Sequence, residues 1–300
     1  MRRLSCAAVV LSACVAGAVA LRGQTFSSGV ETVEVTATVV DAAGRLVSGL
    51  SQDAFELFED GDPQPITHFS NQRVPVSLGV LVDASDSMRG QPIEDARRAL
   101  GRFMTALLDA DDEAFIGTFN HAPKPLSAWT QPPSALGEAL STERPSGGTA
   151  IYDAVVASID AFARRHRGRA ALVVISDGAD TASDVSLRQA QEKLRRTDAF
   201  VYAIAIDAEA AQRRATRVEP DALRQLTGPT GGYTEVVSSA GDLPAATERI
   251  AQELNSQYTF GYQASRPPDG KWRSIRVRAK TPGLVTRARR GYYATPKDTR

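Results

Sequence analysis

Between residues 75 and 256 near-continuous apolar runs alternate with stretches of helical period, and few folds accept that alternation. The runs are Ser77–Val82, Ala114–Phe119, Ala171–Ile175 and Phe200–Ile206, with a shorter one at Tyr233–Val237. They are rich in aliphatic and β-branched residues and lack a polar face, so both faces of each strand are expected to be covered. Between them Ile93, Ala96, Leu100, Phe103 and Leu107 fall on one helical stripe, and Ile151, Val155, Ile159 and Phe162 on another. Further helices are expected at Ser134–Leu140, Ser186–Arg196, Pro220–Leu226 and Leu243–Gln257. The alternation implies an α/β domain: a mostly parallel central sheet flanked by crossover helices, with Tyr233–Val237 at an edge.

In an open sheet of this kind ligands gather beyond the carboxyl ends of the strands. The first run stops at Asp83-Ala84-Ser85-Asp86-Ser87. A tight turn there can aim one carboxylate and two hydroxyls at a common point. These are hard oxygen donors of the kind Mg²⁺, Mn²⁺ and Ca²⁺ prefer. Ser146-Gly147-Gly148-Thr149 offers another hydroxyl at a helix start, and Ile175-Ser176-Asp177-Gly178 offers a second carboxylate at another strand end. Taken singly, each piece also reads as a cap or a turn, since Ser, Thr and Asp cap helices and Gly pairs mark turns. Asp86 reads as a solvated loop acid, and Asp153 and Asp180 as residues that could support the site from behind.

DASDS, then GGT, then ISDG, in that order and each at an element boundary, resembles the von Willebrand factor type A (VWA) domain and its metal-ion-dependent adhesion site (MIDAS). The resemblance implies a Rossmann-like domain over residues 75–256. It also implies metal ligation by Asp83, Ser85, Ser87, Thr149 and Asp177, the two carboxylates binding directly or through water. In the family the open coordination position is usually filled by a carboxylate of a partner protein. The flanks, GLSQDAFELFEDGDPQPITHF before the domain and YTFGY…DGKWRSIRVRAKTPGLVTRARRGYYA after it, resemble those of bacterial VWA-related proteins.

Those flanks read as β structure. Val33–Val40, Leu46-Val47, Phe55–Phe58 and Ile66–Phe69 are candidate strands, with a turn at Glu59–Pro63. After Gln257 come Tyr258–Tyr262, Trp272–Lys280 and Val285–Arg289, closed by Tyr292-Tyr293. Each segment alone is too small to bury a stable core. The expectation is one small all-β unit built from segments 21–74 and 257–294, with the VWA domain inserted between its halves. Residues 295–300 are expected to form a disordered tail.

Residues 1–20 have the layout of a secretory signal: Arg2-Arg3, an apolar stretch from Leu4, and Ala18-Val19-Ala20 as a cleavage motif. Cleavage there would remove both cysteines, Cys6 and Cys14. Leu11-Ser12-Ala13-Cys14 also resembles a lipobox, which would make Cys14 a lipid anchor, so soluble export and membrane tethering both stay open. The formal net charge of zero conceals a basic end: residues 257–300 hold eleven Lys and Arg against two acids. The basic residues alternate with apolar ones, as in Ile275-Arg276-Val277-Arg278, which is a half-buried strand rather than a nucleic-acid patch. Glu56, Glu59, Asp60 and Asp62 are the expected partners of opposite sign.

The histidines His68, His121 and His166 have no metal-ligand spacing, and Trp129 and Trp272 read as packing residues. No phosphate-binding loop, nucleophile elbow or paired nucleophile and base is present. The function expected is a periplasmic or secreted, metal-dependent protein-binding module, with Mg²⁺ ahead of Mn²⁺ or Ca²⁺. It is not expected to be an enzyme or to bind nucleic acid. Two alternatives stand beside it. One is an envelope protein whose metal only stabilises the fold. The other is a Mg²⁺-dependent phosphohydrolase, which usually carries D-x-D where this chain has Asp83-Ala84-Ser85.

Overall fold

The computed structural model describes residues 32–125, 127–129, 143–177, 179–206 and 220–295. The signal-like segment with Cys6 and Cys14, the helix expected at Ser134–Leu140, Gly178 and the tail beyond Thr295 lie outside the described residues.

A six-stranded sheet carries the middle of the chain. Its strands are β5 (Val76–Asp83), β6 (Glu113–Phe119), β7 (Pro123–Pro125), β8 (Arg169–Ser176), β9 (Phe200–Ile206) and β10 (Thr234–Val237). Their spatial order is β10-β9-β8-β5-β6-β7, and only β7 runs antiparallel to its neighbour. Every residue of β5, β6, β8 and β9 is buried, as strands covered on both faces require, including Glu113 and Arg169 where β6 and β8 begin. Helices α1 (Gln91–Leu107) and α5 (Leu243–Asn255) cover one face, with Leu100 and Phe103 packed over Leu78, Val80 and Tyr202. Helices α2 (Ile151–Phe162), α3 (Leu187–Leu194) and α4 (Pro220–Thr227) cover the other, around Leu172, Val174 and Val201. Ser186 caps α3 in a capping box with Gln189, which fixes where that helix starts.

The flanks form two antiparallel four-stranded sheets around a shared core. From the N-terminal side come β1 (Thr32–Val40), β2 (Phe55–Glu59), β3 (Asp62–Gln64) and β4 (His68–Ser70). From the C-terminal side come β11 (Tyr258–Gln263), β12 (Trp272–Ala279), β13 (Val285–Ala288) and β14 (Gly291–Tyr293). The orders β13-β1-β11-β4 and β14-β12-β2-β3 place strands from both flanks in each sheet. Val35 faces Phe260 across one ladder and Leu57 faces Val277 across the other. Phe55 packs edge-on against Phe260 at 4.9 Å between ring centroids, inside the sandwich.

Local readings differ from the structure at three places. Leu46 makes only an isolated bridge to Val40 rather than a strand. The turn read at Glu59–Pro63 is tighter, because Asp60 and Gly61 both take positive φ and β3 starts at once. The short edge strand β7 has no counterpart among the runs read from the sequence.

The strands of the central sheet begin at the end that faces the sandwich. There Gly231 has φ +95, and a Cβ on Gly232 would lie 1.9 Å from the Val201 carbonyl oxygen. Only glycine lets this loop pass between β9 and Ala288 of β13. The carboxyl ends of the strands point the other way, and the candidate site lies there.

Candidate metal-type site at the carboxyl end of the sheet

β5 and β8 are hydrogen-bonded neighbours running parallel, so Asp83 and the Ser176-Asp177 pair emerge side by side. After Asp83 the chain turns sharply. The Ser85 N–H donates to Asp83 Oδ1 at 2.8 Å, and a short 3₁₀ turn follows at Asp86–Met88. Met88 is fully buried and pins that turn to the core. The turn brings Ser85 Oγ and Ser87 Oγ to 3.0 Å, and Ser87 Oγ donates to Asp177 Oδ1 at 2.7 Å. Ser176 Oγ donates to Asp83 Oδ2 at 2.5 Å.

The glycine loop is tied to the same turn by backbone bonds. Ser146 N–H donates to the Ala84 carbonyl at 2.8 Å and Asp86 N–H to the Gly147 carbonyl at 3.0 Å. Gly147 has φ +79, and a side chain there would press on His121. Thr149 is buried just ahead of α2; its N–H donates to Thr181 Oγ1 at 3.0 Å and its carbonyl accepts from Thr181 N–H at 2.8 Å.

The electrostatics follow from burial. Desolvation pushes the Asp83 carboxyl up to about 6 against the bonds from Ser176 and Ser85, and the neighbouring Asp177 charge adds to the rise. Burial likewise raises Asp177, against the bond from Ser87. Among the described residues neither carboxylate meets a cationic side chain. No three His, Cys, Asp or Glu side chains cluster among those residues, so the donor set is two carboxylates and hydroxyls.

The other candidates are placed as follows. Asp86 is largely exposed and pairs with Arg89 at 2.7 Å. Asp180 accepts from Tyr152 N–H at 3.0 Å at the start of α2, and Asp153 accepts from the N–H groups of Asp184 and Val185. Both therefore brace the 180–185 loop, whose Thr181 is bonded to Thr149. His166 lies at the surface beside Glu113, at 2.9 Å. Trp129 packs edge-on to Phe115 and Trp272 against Tyr293. Sequence reasoning did not single out Ser176 or Thr181. The signal for Ser176 is a hydroxyl directly after the apolar buried run Ala170–Ile175, one position before the recognised aspartate.

The fold and this corner define an open, mostly parallel α/β domain with an oxygen-donor cluster at its carboxyl edge. The profile of the von Willebrand factor type A domain matches residues 78–249, and the chain belongs to that family. Solved structures with the same fold share little sequence. The von Willebrand factor type A protein from Catenulispora acidiphila is 12% identical over 91% of this chain and 76% of its own, with a TM-score of 0.54. The vWF domain of the type V pili tip protein Mfa5 from Porphyromonas gingivalis is 13% identical over 61% and 96%, with a TM-score of 0.51. The PilB minor pilin from Streptococcus sanguinis is 11% identical over 65% and 64%, with a TM-score of 0.52. No curated protein matches the chain by sequence.

Proposed function

We propose that Asp83, Ser85, Ser87, Thr149 and Asp177 hold one divalent cation, Mg²⁺ ahead of Mn²⁺ or Ca²⁺. The chain would then act outside the cytoplasm as a metal-ion-dependent protein-binding module. The observation that carries this reading is a buried carboxylate, Asp83, beside a half-buried one, Asp177, set among hydroxyls with no cationic side chain among the described residues against them. Two partly or wholly desolvated negative charges side by side without a counter-charge are costly, and a cation supplies what they lack. All donors are oxygens, which suits hard cations. When bound, the metal would supply a positive charge able to take one more oxygen ligand, and a partner's acidic side chain is the ligand proposed. Ser176 and the Ser85 N–H would orient Asp83, and Ser87 would orient Asp177.

Family membership supports an interaction module, and two proteins of this fold are by name a pilus tip protein and a minor pilin. Export is supported by the signal-like layout of residues 1–20, with an anchor at Cys14 as the alternative. Among the described residues no helix is long and apolar enough to cross a membrane. A binding rather than enzymatic role is supported by the serine at position 85, where a phosphohydrolase of the D-x-D type needs a second acid.

Calorimetric titration with Mg²⁺ and Mn²⁺ should give one site per chain that is lost in Asp83→Ala. Equal uptake by the variant would remove the site assignment. Capture from envelope extract in Mg²⁺ should return a partner that EDTA releases. If EDTA lowers the melting temperature but leaves capture unchanged, the metal serves the fold and not the partner.

A further inference from the structure

At the opposite end of the sheet, where β8 and β9 begin, a cavity of about 570 Å³ lies between the sandwich and the α/β domain. Four arginines line it, Arg169, Arg195, Arg196 and Arg289, against two carboxylates, Glu34 and Asp198. Asp198 is already engaged by Arg165 at 2.7 Å. Arg195 and Arg196 share Glu192 at 3.6 and 3.3 Å, and Glu192 also accepts from the Tyr293 hydroxyl at 2.7 Å.

The other two arginines have no carboxylate partner among the described residues. Arg169 is 7% exposed and donates from Nη1 to the Leu254 carbonyl at 2.7 Å, while its Nη2 has no partner. Arg289 donates from Nη2 to the Glu34 carbonyl at 2.7 Å, while its Nε has none. Carbonyl dipoles solvate these guanidiniums, and carboxylates act on them only from a distance, Glu34 on both, Asp112 on Arg169 and Asp198 on Arg289. A charge drawn out of water without a direct counter-ion is costly. Burial accordingly depresses the basicity of both groups, with desolvation the leading cause in each. The unpaired nitrogens are shielded beneath the wall, so the gain from an anion in the cavity is chiefly one of charge. Arg195 and Arg196 are half exposed and offer guanidinium forks, which match carboxylate and phosphate oxygens. The cavity has the size of a small-molecule site.

We infer that this cavity is a second ligand site, independent of the metal reading, that takes a small oxyanion, a phosphate or a carboxylate, between the two modules. Its walls come from β1 and the end of the chain on one side and from β8 and the loop after α3 on the other. A bound anion would therefore cross-link the modules and stabilise their docking.

The test uses the protein spanning residues 21–300 in EDTA, with inorganic phosphate and with succinate as probes, by calorimetry and thermal melting at matched ionic strength. Asp83→Ala serves as a parallel background, so that a carboxylate cannot be bound through a residual metal. At least one probe should bind saturably at one per chain, equally in both backgrounds. Phosphate alone would mark a phosphate ligand, and succinate alone a carboxylate ligand. The double variant Arg195→Gln/Arg196→Gln, altered only at half-exposed positions, should bind at least tenfold more weakly. Arg289→Gln should do the same where it folds. Both probes failing to saturate, or the double variant binding as tightly as the parent, would overturn the inference. General stabilisation of any fold by excluded anions would persist in the double variant, and so is distinguished from binding.

Discussion

At the scale of single residues, the Asp83 carboxylate is held by a hydroxyl that no motif names. Ser176 is 1% exposed and donates to Asp83 Oδ2, so it fixes which way the carboxylate faces. The ligand candidates were legible because D-x-S-x-S, GGT and the strand-end Asp177 are local patterns. Ser176 was not, because its role arises from β5 and β8 lying side by side, which no local window reveals. Groups that orient metal ligands typically matter by ten- to a hundred-fold in affinity. Ser176→Ala should therefore weaken Mg²⁺ binding about tenfold with little change in fold, as titration calorimetry would record. Unchanged affinity would show that Asp83 needs no such support. The same reasoning explains why Asp153 and Asp180 are not in the cluster. Their carboxylates are spent on backbone N–H groups of the neighbouring loop and helix start.

At the scale of elements, the apolar runs and helical stripes predicted the buried strands and the described helices closely, because burial on both faces leaves a signature within each run. Short edge elements left none. β7 is only Pro123–Pro125, and proline is tolerated there because the strand is at the sheet edge. Equally hidden was the polar junction under α5. Glu253 is 2% exposed; its Oε1 accepts from Thr38 at 3.1 Å and from the Tyr202 hydroxyl at 3.0 Å, and Oε2 pairs with Arg287. One carboxylate thus joins β1, β9, α5 and β13. Burial raises its affinity for a proton and outweighs the Arg287 charge and the donated bonds. The folded pKa is therefore above that of the unfolded chain, whose ordinary value is 4.5. Glu253's share of stability is complete below that value and is lost as pH rises through the folded one. Glu253→Gln removes this titration. The melting-temperature difference, wild type minus variant, should fall as pH rises above the ordinary carboxylate range. A difference independent of pH would mean that Glu253 titrates alike in both states.

At the scale of the whole molecule, the sequence carried the architecture but not the pairing. Two β segments each too small to stand alone, separated by a self-sufficient α/β pattern, imply that the segments meet. They do not say that each sheet takes strands from both, since that register is set by contacts some two hundred residues apart. The basic end of the chain resolves at this scale too. Arg278 pairs with Glu56, Arg266 with Asp60, and the buried Arg273 with Glu59 at 3.4 Å, whereas Asp62 stays exposed at the start of β3. The interleaving has a consequence for truncation. β1 has β11 and β13 as its ladder partners, and β2 is held between β12 and β3. Removing residues 258–300 leaves the N-terminal segment with the short β2–β3 ladder alone, while every ladder of the six-stranded sheet is kept. The exposed apolar face of Val33, Val35, Phe55 and Leu57 would have nothing to cover it. Limited proteolysis of the truncated protein should therefore cut within residues 32–70 at rates far above the full chain and spare the region from residue 76 onward. Protection of residues 32–70 equal to that in the full chain would mean that the N-terminal strands find their core elsewhere, and the sandwich would not be a unit in the sense argued.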